Sequence, residues 1–373
     1  MTESTTDMLH GLAIGESLRV TVAARDAASG TLTLLCRRDP DQPGLAPLAQ
    51  TSPQTPALAP QEPLDVASHH GLARLLDAVA LLPPMRVGVV HPCDASSLSA
   101  ALEAQRLGLI EPVLIAPRAR LEALAAEQGL ALNGLRIADV AHSHAAAEQG
   151  ARLAASGEVE ALMKGSLHTD ELMGAVVASQ GGLRTKRRVS HCFLMQTPAY
   201  PRPFIITDAA VNIAPTLSEK ADIVRNAIDL AHAIGVAEPR VAILAAVETV
   251  NPTMPATLDA AALCKMADRG QITGGLLDGP LAFDNAVSIA AARTKGIVSE
   301  VAGRADILVV PDLESGNMLA KQLEYLGDAA TAGIVLGARV PIVLTSRADS
   351  RETRMASCAV AVLLARHYQK APL

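Results

Sequence analysis

The segment MRVGVVHPCDASSLSAALEAQRLGLIEPVLIAP (85–117) decides the fold. It opens on a short apolar run, MRVGVVHP (85–92), closed by Pro92. Ser96 to Leu107 then reads as a helix, and PVLIAP (112–117) is a second apolar run. Apolar runs that do not alternate with polar residues belong to strands buried on both faces, as in parallel sheets covered by helices. Strand, helix and strand in that order make the repeating unit of an α/β protein.

The unit recurs downstream. A helix near Arg118–Gln128 and another over Ala141–Ser156 precede the strand ALMKG (161–165), and His168–Ser179 is helical. RVSHCFLMQT (188–197) and PFIITDAA (203–210) are strands. The helix Ser218–Ile234, the strand VAILAAV (241–247) and the helix Met254–Arg269 follow. GGLLDGPL (274–281), ADILVVPDL (305–313) and PIVLTS (341–346) are further strands, with helices near Asn317–Tyr325 and Ser350–Arg366. So many strands exceed one comfortable sheet and favour two domains. Upstream, SLRVTVAARDAASGTLTLLCR (17–37) reads as a β-hairpin turning at Ala28–Ser29–Gly30, with Val20 and Val22 facing Leu32, Leu34 and Cys36. The Pro-dense stretch 39–66 has no period and reads as a linker.

Composition bounds the function. The 373 residues carry a net charge of −6, which speaks against a general nucleic-acid surface. With no Trp and 2% aromatic residues, the core is aliphatic and stacking platforms for single strands are unsupported. No stretch offers about 18 uninterrupted apolar residues, so no membrane span is read. The five cysteines are scattered, with no CxxC, and read as reduced thiols of a cytoplasmic protein. MTESTTDMLHG lacks the form of a signal peptide. His69-His70, His142-Ser143-His144 and His191-Cys192 lack zinc spacing, so no metal site is read. No P-loop, no GxGxxG after a strand and no GxSxG elbow occurs.

In open parallel sheets ligands bind where strands end and helices begin. Four such turns stand out: Lys164-Gly165-Ser166-Leu167-His168 with Thr169 and Asp170, Pro280 to Asn285 including Asp284, Ser315-Gly316-Asn317, and Ser346-Arg347-Ala348-Asp349-Ser350 with Glu352. Ser346 and Arg347 can offer a phosphate a hydroxyl, a guanidinium and helix N–H groups together. Asp349 with Glu352 also fits a capping box, a purely structural role. The basic cluster RTKRR (184–188) reads as a solvated loop, or, through Arg188, as a hold on the phosphates of a polyanionic cofactor.

These turns lie in MKGSLHTDELMGAV (163–176), RPFIITDAAVNIAPT (202–216), the long AVETVN…GPLAFDNAVS stretch (246–288), ADILVVPDLESGNMLAKQL (305–323) and AGIVLGARVPIVLTSRADS (332–350). In that order they resemble the phosphate acetyltransferase and phosphate butyryltransferase family from about Ala67 to Leu373, with wording closer to the butyryltransferases and to their two-part relatives. In the two-part relatives a hydratase-like domain precedes the transferase, and the hairpin at 19–36 resembles its end; no hydratase chemistry is assigned to so short a segment.

The resemblance implies two three-layer α/β/α domains flanking a cleft, similar to isocitrate and isopropylmalate dehydrogenases. Mapped here, residues 1–40 are a residual hairpin segment, 41–66 the linker, 67–187 with 334–373 domain one, and 188–333 domain two. It implies reversible transfer of a short acyl group, acetyl to butyryl, between CoA and phosphate, without metal or redox cofactor, by a homodimer. By position in the family's Ser–Arg turn, Arg347 is the phosphate clamp and Ser346 the oxyanion donor, so Arg347→Ala is expected to lose most turnover. Lys164, Ser166, His168, Asp284 and Asn317 line the cleft. In the acetyltransferases an Asp lies seven residues after that Ser; here the position holds Thr353. Glu352 and Asp349 stand equally as the substitute base. The family's mid-chain cysteine also has no match in Pro198–Pro201. The alternatives are an acyl-carrier-protein-dependent transferase and a catalytically degenerate protein that binds CoA or acyl-CoA.

Overall fold

The computed structural model describes residues 18–25, 32–38, 70–178, 182–346 and 348–372. The expected linker, the turn at Ala28–Ser29–Gly30 and Arg347 lie outside the described residues. Strands β1 (Leu18–Arg25) and β2 (Leu32–Arg38) pair antiparallel, with Val20 opposite Cys36 and Val22 opposite Leu34. Those two pairings are as expected of the hairpin; Leu32 is instead opposite Arg25, beyond a register shift between Val22 and Ala24.

The body begins with α1 (His70–Val79) and continues β3 (Met85–Val90), α2 (Ala95–Arg106), β4 (Ile110–Ala116), α3 (Arg118–Glu127), β5 (Arg136–Asp139), α4 (Ser143–Ala155), β6 (Ala161–Lys164) and α5 (Thr169–Val177). Then come β7 (Ser190–Gln196), β8 (Phe204–Thr207), α6 (Leu217–Ala233), β9 (Arg240–Leu244), α7 (Pro255–Asp268) and β10 (Leu276–Leu281). The last elements are α8 (Phe283–Val287), α9 (Ile289–Thr294), β11 (Ile307–Val309), α10 (Leu313–Leu326), β12 (Ala330–Leu336), β13 (Ile342–Val343) and α11 (Arg351–Lys370).

Among the described residues, eleven strands form one sheet in the order β10-β9-β11-β8-β7-β12-β13-β6-β3-β4-β5. The expectation that the strands outnumber one sheet is thus corrected. Strands β10, β9, β11 and β8 are parallel to one another, and so are β13, β6, β3, β4 and β5. Between them β7 is antiparallel to β8 and β12, and β12 is antiparallel to β13. These antiparallel pairings let two parallel groups share one ladder. They also reverse direction between the groups. The carboxyl ends of β3, β6 and β13 therefore lie at one edge of the sheet, and those of β8, β9, β10 and β11 at the other.

The core follows the same plan. On one face a single apolar cluster spans both groups, from Leu72, Val87 and Leu98 to Val224, Leu263 and Val360. The opposite face carries two clusters, one around Val90, Ala147 and Leu172 and one around Ile206, Ala286 and Val301. Helix α11, buried almost throughout Arg354–Ala365, packs on β12, α1 and α6. The two expected domain boundaries fall just before β7 and within β12, at 187/188 and 333/334.

Candidate active site

Three turns meet at the carboxyl edge of β3, β6 and β13. After β3, Asp94 caps α2 by accepting the Ser97 N–H at 2.8 Å. After β6 the chain crosses so close to β3 that a Cβ on Gly165 would sit 2.5 Å from the Val90 and His91 carbonyl oxygens, so only glycine fits. The crossing is fixed by the Gly165 N–H to Val90 O and the Ser166 N–H to His91 O, both 2.9 Å. His91 itself takes a φ of 54°, a left-handed conformation unusual outside glycine. The Ser166 hydroxyl donates to His91 O at 2.9 Å, lies 3.0 Å from His91 Nδ1 and accepts the Cys93 N–H at 3.3 Å. Burial, and then Arg120, hold the His91 imidazole below its usual value against Glu171 and Asp94.

After β13 the turn closes on itself. Asp349 Oδ2 accepts the Ser346 N–H at 2.7 Å, and the Asp349 N–H donates to Ser346 O at 3.2 Å. Ser346 Oγ accepts the Ala348 N–H at 3.3 Å, and the side chain is exposed. The buried Arg354 guanidinium donates to Ser346 O at 3.3 Å and to Ser96 O at 3.2 Å, tying the turns after β13 and β3 together. Lys164, half-buried at the end of β6, completes a small polar nook with Asp94, Ser96, Ser346 and Arg354, with room for about one water molecule.

The capping-box reading of Asp349 with Glu352 is corrected. The N-cap of α11 is Ser350, whose Oγ accepts the Thr353 N–H at 3.1 Å. Thr353 Oγ1 lies 3.2 Å from Ser350 Oγ and 3.3 Å from Thr331 Oγ1. The two acids differ sharply in setting. The Asp349 side chain is 7% exposed, beside Ser346, and its second oxygen faces Lys321 Nζ at 3.9 Å. Glu352 is 72% exposed beside Arg351 and lines the pocket beyond the Ser350 cap. Burial pushes the Asp349 carboxyl above the usual range, against the Ser346 N–H and Lys321.

Beyond the Ser350 cap lies an apolar pocket of about 700 Å³, walled by Leu72, Leu76, Leu107 and Met355 and reaching Thr331 and Thr353. His168 is exposed at the start of α5 and lines another pocket, of about 740 Å³, with His144, Arg152 and Glu171.

The remaining expected residues sit at the opposite edge of the sheet. Asp284 is exposed and pairs at 3.3 Å with Lys295, which also pairs with Glu248 at 3.0 Å. Asn317 donates to Ala209 O at 3.1 Å. Arg188 is held by Asn212 Oδ1 at 2.7 Å and Glu219 at 3.2 Å, and Arg187 pairs with Asp229, so this part of the basic cluster is tied to its neighbours rather than loosely solvated. One turn gathers Ser346 and Asp349 beside Lys164 and near Ser166. Asp284 and Asn317 do not join it, because their strands run the other way, and Arg188 does not, because it stands at the amino end of β7, which runs in the direction of β13. Lys321 and Arg354 are the residues the sequence reading missed. Lys321 stands in the quoted stretch one helical turn beyond Asn317, the spacing that could have pointed to it.

The family described as "Phosphate acetyl/butaryl transferase" matches residues 143–362. A phosphate acetyltransferase of Rhizobium meliloti is 62% identical over 78% of this chain and 92% of its own length. A phosphate butyryltransferase of Clostridium acetobutylicum is 42% identical over 75% of this chain and 93% of its own. Identity to the first exceeds that to the second, although the wording of AVETVN and GPLAFDNA points to the butyryltransferase side. Among solved structures, a branched-chain phosphotransacylase from Enterococcus faecalis V583 is 31% identical and superposes with a TM-score of 0.67 over 76% of this chain and 99% of its own. A phosphotransacetylase from Streptococcus pyogenes, at 23% identity and a TM-score of 0.69 over 80% of this chain and 99% of its own, shares the fold. The chain belongs to the phosphate acetyl/butyryl transferase family.

Proposed function

We propose that the protein transfers a short acyl group, acetyl to butyryl, reversibly between CoA and inorganic phosphate, with neither metal nor redox cofactor. The observation that carries this reading is the Ser346–Asp349 turn, which sets a hydroxyl and a buried carboxylate between the cations Lys164 and Lys321, beside an apolar pocket.

In the direction that forms the thioester, the CoA thiol attacks the carbonyl carbon of an acyl phosphate. A free thiol with a pKa of about 8.5 is only a few per cent thiolate near neutrality, so a base is needed. Asp349, hydrogen-bonded into the Ser346 turn, takes the proton; Glu352, which lines the apolar pocket but is largely open to water, is the poorer candidate. The C–S bond forms, the carbonyl oxygen becomes an oxyanion, and the Ser346 hydroxyl donates to it. The C–O bond to phosphate then breaks, and phosphate leaves toward Lys164 and Arg347. The reverse reaction retraces these steps, with Asp349 returning the proton to the departing thiolate. The apolar pocket beyond Ser350 receives the pantetheine arm, whose methylenes and methyls suit Leu72, Leu76 and Met355.

The same reading takes the protein as a cytoplasmic homodimer and the two parallel strand groups as two domains that meet at β7 and β12. The exposed Ile213 and Met318, at the edge away from Ser346, support a partner surface there. The decisive measurement is thiol release from acetyl-, propionyl- and butyryl-CoA with and without phosphate. Phosphate-dependent release is expected. Release that ignores phosphate would show hydrolysis, and binding of CoA without release would leave a degenerate binding protein.

A further inference from the structure

The acid limb of the reaction depends on what keeps a covered carboxylate charged. Asp349 has little contact with water, and a carboxylate in that position reverts to the neutral acid unless neighbours hold its charge. One of its oxygens is fixed by the Ser346 N–H. The other looks toward α10, where Lys321 Nζ lies 2.7 Å from Glu324 Oε2 and 3.9 Å from Asp349 Oδ1. The ammonium is further confined by the Phe193 and Tyr325 rings, whose centroids are 5.9 and 5.7 Å away.

We propose that Lys321 is a positioning residue for Asp349: shared between Glu324 and Asp349, its ammonium keeps the carboxylate charged and turned against the Ser346 turn. This deepens the reading of Asp349 as the base and rests on it.

Among the described residues, the charged groups that act on Asp349 have these directions. Burial pushes its carboxyl up; the Ser346 N–H and Lys321 pull it down; Glu324 from α10 pushes it up; Arg354 from α11 pulls it down. Partial burial works against the Lys321 charge, but Glu324 and Asp349 together hold it above its ordinary value. The two directions agree: each partner favours the other's charge, and at Asp349 burial outweighs the help. Beneath the Phe193 ring lies His191, fully buried, with neither ring nitrogen hydrogen-bonded. Burial, and then Lys321, hold its imidazole down at about 3, so it adds no second cation to the cluster.

The signs make the test. A base works above its pKa and fails as pH falls through it. Removing a cation raises that pKa and moves the acid limb of kcat/KM to higher pH; removing the competing anion moves it lower. Lys321→Met is therefore expected to shift the acid limb upward, with a loss about tenfold deeper at its acid end than on the plateau. Glu324→Gln is expected to shift it downward, and Lys321→Arg to return it toward the parent. A purely structural role for Lys321 would lower rates without opposite displacements. If Lys321→Met does not fold by circular dichroism, Glu324→Gln and Lys321→Arg carry the sign alone. An acid limb unmoved in Lys321→Met or in Glu324→Gln, while Asp349→Asn is inactive, overturns the role of Lys321 and leaves the base assignment standing. Full activity in Asp349→Asn overturns the base assignment, and the role of Lys321 with it.

Discussion

Ser346 is exposed whereas Asp349, three residues on, is nearly covered, and the contrast sets what each can do. An exposed hydroxyl at a strand end can meet a substrate oxygen without displacing protein. A covered carboxylate has little water to share a proton with. Ser346→Ala is expected to lose about 10²–10³ in kcat, the usual cost of one oxyanion donor. Glu352→Gln is expected to stay within about threefold of the parent, because 72% of that side chain already faces solvent. Steady-state rates of both variants check the pair; a large loss in Glu352→Gln would return the base to that residue. The sequence could place Lys164, Ser346 and both acids at strand ends. It could not rank Asp349 over Glu352, since the difference lies in the fold of α10 across the turn.

At the scale of elements, the cap of α11 links stability to the site. Ser350 accepts the Thr353 N–H, and Thr353 in turn reaches Thr331 at the start of β12. Ser350→Ala is expected to cost about 1 kcal/mol in urea-unfolding free energy. It also frees the first turn of α11, so KM for the CoA substrate should rise; a stability loss with no change in KM would place the apolar pocket outside the CoA site. Most elements were legible because their apolar runs or helical periods are strong. Helix α1 is an exception despite the helical spacing of Leu72, Leu75, Leu76 and Val79; the other exceptions have physical reasons. Strand β12, ATAGIVL, contains Gly333, where a Cβ would lie 2.8 Å from Leu344 O and 3.2 Å from His191 Nε2, so close packing replaces the bulky apolar signal. Strand β5 is a four-residue edge with no buried position. Helices α8 and α9 span only five and six residues, too short to show a period.

At the scale of the whole molecule, the reversal of strand direction at β7 and β12 explains why turns that look alike in sequence part company in space. Lys164 and Ser346 end strands of one group; Asp284 and Asn317 follow strands of the other, and the sheet carries them to opposite edges. A run of residues shows that a strand ends, but not which way it runs beside its neighbours. The same continuity bears on unfolding. Cys192 lies at the centre of the ladder on β7 and Cys358 in the buried middle of α11; both are fully buried, and burial pushes both thiols up to about 12. They belong to the one apolar cluster that spans both strand groups, which Cys264 on α7 only borders from a partly exposed position. If that cluster unites the groups, neither thiol is exposed by opening one group alone. Of these three, a thiol reagent at pH 8 is then expected to label Cys264 first in the native protein, through its partial exposure, although burial pushes its thiol up to about 12 as well. Cys192 and Cys358 should follow together, at the rate at which helical circular dichroism is lost in urea. Labelling of Cys358 well ahead of Cys192, with helical signal retained, would show that the groups open separately, and that the antiparallel pairing of β7 with β12 is a hinge rather than a seam.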